Sequence, residues 1–149
     1  MSASPVQRAV AFLANREHSA LELRHKLEKA GFSIEDIDAT LTQLQHAGIQ
    51  CDARFTDSYI RSRSHRGYGS IRIRMELKER GISDELIADG LQQADIDWFS
   101  LAVHVRCKRF GEQSPDDIKA RLKQQRFLQY RGFTHEQIIE SFTITDDEK

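Results

Sequence analysis

Proline and cysteine are nearly missing from this chain. The two prolines, Pro5 and Pro115, leave no room for a proline-rich linker, and no low-complexity segment separates one part from another. The two cysteines, Cys51 and Cys107, are too few and too isolated for a disulfide framework. Neither belongs to a Cys-x-x-Cys pair, so both read as reduced small hydrophobes. No run approaches the roughly 18 apolar residues that a membrane span needs. The first residues, Met1-Ser-Ala-Ser-Pro-Val-Gln-Arg8, lack an apolar signal core, which makes the cytoplasm the expected location. Strand-like alternation is scarce as well. Ile71-Arg-Ile-Arg74 alternates briefly, but Met75-Glu-Leu77 continues it at helical spacing.

What the chain does have is a thrice-repeated corner. Leu27, Gly31, Phe32, Ser33, Ile37 and Leu41 recur as Leu77, Gly81, Ile82, Ser83, Ile87 and Leu91. They recur again as Leu128, Gly132, Phe133, Thr134, Ile138 and Phe142. The glycines stand 50 and then 51 residues apart. Such a period marks an array of one supersecondary unit, a design that offers an extended binding surface more readily than a catalytic pocket.

Helical spacing fills the rest. Val6, Val10 and Leu13 predict a first helix; Ser19 with Glu22 is a capping box that opens a second, and Gly31 suits a left-handed stop. Ser33 can cap a third helix, whose apolar stripe is Ile34, Ile37, Leu41 and Leu44. Phe55, Tyr59 and Ile60 begin the second repeat, with a flexible Gly67-Tyr68-Gly69 turn before Ile73 and Leu77. Phe99, Ala102, Val103 and Phe110 begin the third. There Ser114 is the expected N-cap with Pro115 at the first helical position, followed by Ile118, Leu122 and Leu128, and Thr134 with Gln137 forms another capping box. The fold class is therefore all-α: three tandem three-helix repeats at 1–53, 54–98 and 99–149, stacked as an elongated, curved, solenoid-like array. Phe32, Ile82 and Phe133 are the expected plugs between second and third helices.

The formal net charge of -1 conceals a pattern. Residues 54–80 and 102–131 each hold eight Lys or Arg against three carboxylates, net +5; residues 81–101 carry -5 and residues 132–149 carry -4. Basic blocks of this kind suit polyanions or acidic partners. Arg61, Arg63, Arg66, Arg72 and Arg74 are one candidate contact surface, and Arg121, Lys123, Arg126 and Arg131 a second. The stretch Tyr59 to Tyr68 interleaves cations with aromatics, a combination that suits single-stranded nucleic acid and an acidic protein groove equally.

No catalytic constellation, cofactor motif or metal site is expected. His104 and Cys107, at i and i+3, amount to half a zinc site with no second pair nearby. Gly67-x-Gly69 follows a helix and lacks the Lys-Ser/Thr of a phosphate-binding loop. The corners look like helix-turn-helix units, but the following helices begin Ile34-Glu35-Asp36, Asp84-Glu85 and His135-Glu136, whose carboxylates repel duplex phosphates.

The ordered motifs resemble the RecX family of bacterial regulatory proteins. They are Arg16-Glu17-His18-Ser19 with Glu22-Leu23 and Lys26-Leu27; Gly31-Phe32; Asp52-Ala-Arg54-Phe55 with Tyr59; Arg66-Gly67-Tyr68-Gly69 leading to Ile73-Arg-Met-Glu76-Leu77 and Gly81-Ile82; and Arg126-Phe127-Leu128 with Arg131-Gly132-Phe133. The resemblance implies a non-enzymatic protein that binds the RecA recombinase and its filament on DNA; separately, no heptad seam points to a dimer, which makes a monomer the expectation. The resemblance also implies lowered strand exchange, ATP hydrolysis and co-protease activity in recombination, repair and the SOS response, by lodging in the filament groove or blocking its extension. It transfers no catalytic residue. The competing class is a single-stranded nucleic-acid-binding adaptor that acts without RecA.

Overall fold

The computed structural model describes residues 3–143, and within them it is helical with no strand. The helices are α1 (Pro5–Asn15), α2 (Ala20–Lys29), α3 (Ile34–His46), α4 (Asp52–His65), α5 (Ser70–Glu79), α6 (Asp84–Ala94), α7 (Trp98–Phe110), α8 (Ile118–Arg131) and α9 (His135–Ser141). Of the acidic block at 132–149, Asp146, Asp147, Glu148 and Lys149 lie outside the described residues.

The repeated signature is one corner built three times. After α2, α5 and α8 the glycine takes positive φ (97°, 79° and 99° for Gly31, Gly81 and Gly132), which an L side chain resists. The amide of the next residue then bonds back to the leucine five earlier: Phe32 to Leu27 O at 3.2 Å, Ile82 to Leu77 O at 3.1 Å, Phe133 to Leu128 O at 3.2 Å. This pattern consumes carbonyls orphaned at a helix end. The following Ser33, Ser83 or Thr134 hydroxyl accepts the amide of Asp36, Leu86 or Gln137, opening the next helix. Leu27, Leu77, Leu128, Ile37, Ile87 and Ile138 are all buried, so the spacing that repeats is the spacing that packs.

Contacts divide the chain into two compact units, Met1–Tyr59 with Leu77–Gly90, and Ile60–Glu76 with Leu91–Lys149. In the first, α1, α2 and α3 enclose Ala9, Leu23, Leu27, Ile37, Leu41 and Leu44, with Val6, Phe12, Leu13 and Phe32 packed against them. Full burial of each of these Leu and Ile side chains is worth about 1.5–3 kcal/mol. Polar residues of the first motif tie this core to the start of α4. The Asp52 carboxylate accepts from the Ala20 amide and from Gln50 Nε2, both at 2.9 Å, and so closes the open N-terminus of α2. Arg54 pairs with Glu17 at 2.6 Å and donates to the Gly48 and Ile49 carbonyls at the end of α3. Glu22 serves the Ser19 capping box while pairing with Arg16 at 3.1 Å and Arg80 at 3.5 Å.

In the second unit α7, α8 and α9 enclose Ala102, Val105, Leu128, Phe133, Ile138 and Phe142. The end of α8 meets the start of α5 backbone to backbone. The Gly69 amide donates to Arg131 O at 2.7 Å and the Ile71 amide to Gly132 O at 3.0 Å. The last carbonyls of one helix thus satisfy the first amides of another. This corrects the reading of Gly67-Tyr68-Gly69 as a flexible turn and agrees with the rejection of a phosphate-binding loop there. The amides of this segment are all taken by Ser64 O, Arg63 O and Arg131 O, so it is neither a free turn nor a cradle for phosphate.

Other expectations also shift. Asp117, not Ser114, caps α8, accepting the Ala120 amide at 2.7 Å; the Ser114 hydroxyl donates instead to Phe142 O at 3.1 Å. Ile34 and Ile118 are 65% and 78% exposed, Leu122 and Val10 are also exposed, and none of the four belongs to its stripe's buried part. The side chain that α8 does bury beside Leu128 is Gln124, and α1 buries Ala9 in place of Val10.

Candidate interaction surface

The cations of the second unit gather around one ring. The turn after α4 presents Tyr68, and three guanidinium groups lie over it: Arg63 at 3.8 Å from the ring centroid, Arg72 at 4.8 Å and Arg131 at 4.8 Å. Arg131 comes from α8, so the structure joins a member of the second expected cation set to two members of the first. The joint is the α5–α8 crossing. Arg131 NH1 donates to Arg66 O at 2.9 Å, and Arg72 NH1 to Tyr130 O at 3.1 Å.

Glu76 neutralises part of this cluster. It accepts two parallel bonds from Arg63, both at 2.9 Å, and a third from Arg72 at 3.1 Å, one helical turn away. Its side chain is only 12% exposed, which gives these ion pairs more weight than surface pairs carry. Hydrogen bonds to Tyr130 and Glu76 hold the Arg72 guanidinium above its ordinary pKa, so it is permanently charged. Arg63 and Arg72 are therefore half-buried frame members.

Other expected residues sit differently. Arg61, Arg66 and Arg74 are exposed on α4, after it and on α5. Arg121 is half-buried with its guanidinium 4.4 Å from the Phe142 ring centroid. Lys123 and Arg126 are exposed on α8 beside Lys119 and Asp117. The structure adds Lys108 and Arg109, exposed on α7 and absent from both expected cation sets. The i, i+4 step from His104 to Lys108 was the one local signal for them. Cys107 itself is buried and Cys51 is half-buried. Among the described residues no group of His, Cys, Asp and Glu is placed to hold a metal ion, and no helix is long and apolar enough to cross a membrane.

Comparison with known proteins bears on the sequence and on the fold. The family description "RecX, first three-helix domain" matches residues 6–44, "RecX, second three-helix domain" residues 52–91, and "RecX, third three-helix domain" residues 95–140. The chain belongs to the RecX family. A "Regulatory protein RecX" of Legionella pneumophila (strain Corby) is 42% identical over 134 residues, covering 90% of this chain and 89% of its own. One of Halorhodospira halophila is 38% identical over 140 residues, covering 94% and 87%. The crystal structure of RecX from Lactobacillus salivarius superposes with a TM-score of 0.77 at 19% identity, over 93% of this chain and 92% of that one. RecX motifs quoted from the sequence now have physical roles. Asp52, Arg54, Glu22 and Glu76 close helix ends or hold cations, which explains why those residue types stand at those places.

Proposed function

We propose that this RecX-family protein binds RecA and RecA–DNA filaments and lowers recombinase, ATPase and co-protease activity, acting in the cytoplasm as a monomeric binder and not as a catalyst. The observation that carries the reading is membership of a family of regulatory proteins across all three of its three-helix domains. The charge pattern supports it. Arg66, Arg74, Lys108, Arg109, Lys123 and Arg126 are exposed cations on the second and third repeats, suited to a polyanionic or acidic filament surface. Arg61 belongs to the same proposed face. Arg63, Arg72, Arg121 and Arg131 act through it as the residues that set its shape, since each is half-buried against an aromatic ring.

The test is recovery from a cell lysate with and without nuclease. RecA recovery that survives nuclease supports the regulator. Recovery that vanishes with nuclease returns the chain to the class of single-stranded nucleic-acid adaptors. Charge reversal at Arg66 and Arg74 should weaken recovery with helicity unchanged. Reversal at Arg72 is not a clean test, because it also removes the bonds to Glu76 and Tyr130.

A further inference from the structure

A recess of about 300 Å³ opens in the second unit where the end of α4 meets α7 and α8. Six side chains that can carry positive charge line it: His65, Arg66, His104, Lys108, Arg109 and Arg131. No carboxylate does. This sets it apart from the neighbouring Arg63 and Arg72, which share Glu76. Among the described residues Arg66, Lys108, Arg109 and Arg131 take part in no ion pair.

Two of these cations, Arg109 and Arg131, are also held in place before any ligand arrives. Arg109 and Arg131 lie 5.2 and 5.0 Å from the centroid of the Phe127 ring, which also lines the recess. Arg131 is further fixed by its bond to Arg66 O. Gly67 completes the wall at φ +89°; a Cβ there would stand 3.0 Å from Val105 Cγ2 and 3.1 Å from Arg131 NH1. Like charges gathered without a counter-charge repel one another, and an anion placed among them relieves that repulsion. Donors fixed in advance lose little freedom when it binds.

We infer that this recess is a binding site for a terminal phosphate, the phosphomonoester of a nucleotide or of a nucleic-acid end. A phosphomonoester brings about 1.5 to 2 negative charges and three strong acceptor oxygens. Several guanidinium forks and an ammonium can engage them together. A carboxylate brings one charge and two oxygens, which occupy one fork and leave the rest unmet. An internal phosphodiester likewise brings a single charge. The inference stands apart from the proposed action on RecA, and its test contains no RecA.

The experiment is calorimetric titration of the full chain with four probes at matched ionic strength: AMP, a 5′-phosphorylated oligothymidylate, the same oligomer with a 5′-hydroxyl, and glutamate. AMP, the phosphorylated oligomer, or both are expected to bind saturably. The phosphorylated oligomer should bind about tenfold or more tightly than the hydroxyl form if strand ends are the source, and AMP alone should bind if free nucleotide is. Arg66→Glu with Arg109→Glu should weaken that binding by about tenfold or more, since charge-assisted bonds are lost. Lys108→Gln, an exposed change that leaves packing intact, should weaken it several-fold and serves if the double variant fails to fold. Three results would overturn the inference: no saturable binding of either phosphomonoester, equal binding of hydroxyl and phosphorylated oligomers with none of AMP, or competition by glutamate as effective as by AMP. Unchanged affinity in the folded variants would overturn it too.

Discussion

Replacing Gly69 by alanine isolates the contact that ties α5 to α8. Gly69 is not in the left-handed region, so alanine there meets no backbone strain, and any cost is steric. The added Cβ would stand 2.4 Å from Gly132 O, 2.5 Å from Gly132 C and 2.6 Å from Phe133 N. Those are backbone atoms of the corner itself and cannot swing aside as a flexible side chain would. Overpacking of this kind costs about 1–3 kcal/mol. Separating the helices also strains two bonds, Gly69 to Arg131 O and Ile71 to Gly132 O, each worth about 0.5–1.5 kcal/mol net. The expected loss is therefore about 2–6 kcal/mol, a large share of the roughly 5–15 kcal/mol that folds a typical domain. Urea denaturation followed by circular dichroism measures it. Gly31→Ala is the complementary control: its φ is +97° and nothing lies within 4 Å of the added Cβ, so it should cost only the left-handed penalty of about 1–2 kcal/mol. If Gly69→Ala unfolds within about 0.5 kcal/mol of the parent, below the smallest steric cost expected, the crossing is not as tight as described.

Other outcomes follow from the same structure. Glu76→Ala leaves Arg63 and Arg72 half-buried without their counter-charge, and should cost about 2–3 kcal/mol in a urea melt while Glu76→Gln costs less. Phe133→Ala should cost about 3–5 kcal/mol and raise hydrogen exchange first in α8 and α9, whereas Phe32→Ala, from a half-buried ring, should cost less. His18 is buried, with Nδ1 3.0 Å from Arg16 O and Nε2 2.9 Å from the Lys26 ammonium. Burial, aided by the charges of Arg16 and Lys26, pushes its pKa below 6.5. The unfolded chain therefore binds the proton more readily than the folded one. His18's contribution to stability is full above pH 6.5 and is lost as pH falls through the lowered value. His18→Gln should flatten the stability profile on that acid side, and an unchanged slope would contradict the assignment.

Much of the fold was legible because its devices are local. A glycine at positive φ, a hydroxyl cap and apolar residues at helical spacing act within one or two turns, so the corners at Gly31, Gly81 and Gly132 could be read directly. Ser114 misled because a cap and a long-range donor look alike in sequence; its hydroxyl reaches Phe142 O, 28 positions away. Ile118 and Leu122 misled because helical spacing shows that a face is apolar but not that another helix covers it. The cation cluster was legible only in parts. Tyr68 and Arg131 meet because two glycines let α5 and α8 approach, and no local pattern announces a contact over that separation.

The central claim is that the exposed cations of the second and third repeats engage RecA. It is tested most directly by the DNA-dependent ATPase of RecA while the protein and its Arg66→Glu/Arg74→Glu variant are titrated in, from substoichiometric ratios upward. The parent should suppress ATP hydrolysis, at low ratios if it blocks filament extension and near equimolar if it coats the groove, and the folded variant should need a several-fold higher concentration. Full ATPase activity at every ratio of the parent, or equal suppression by parent and variant, would contradict the account.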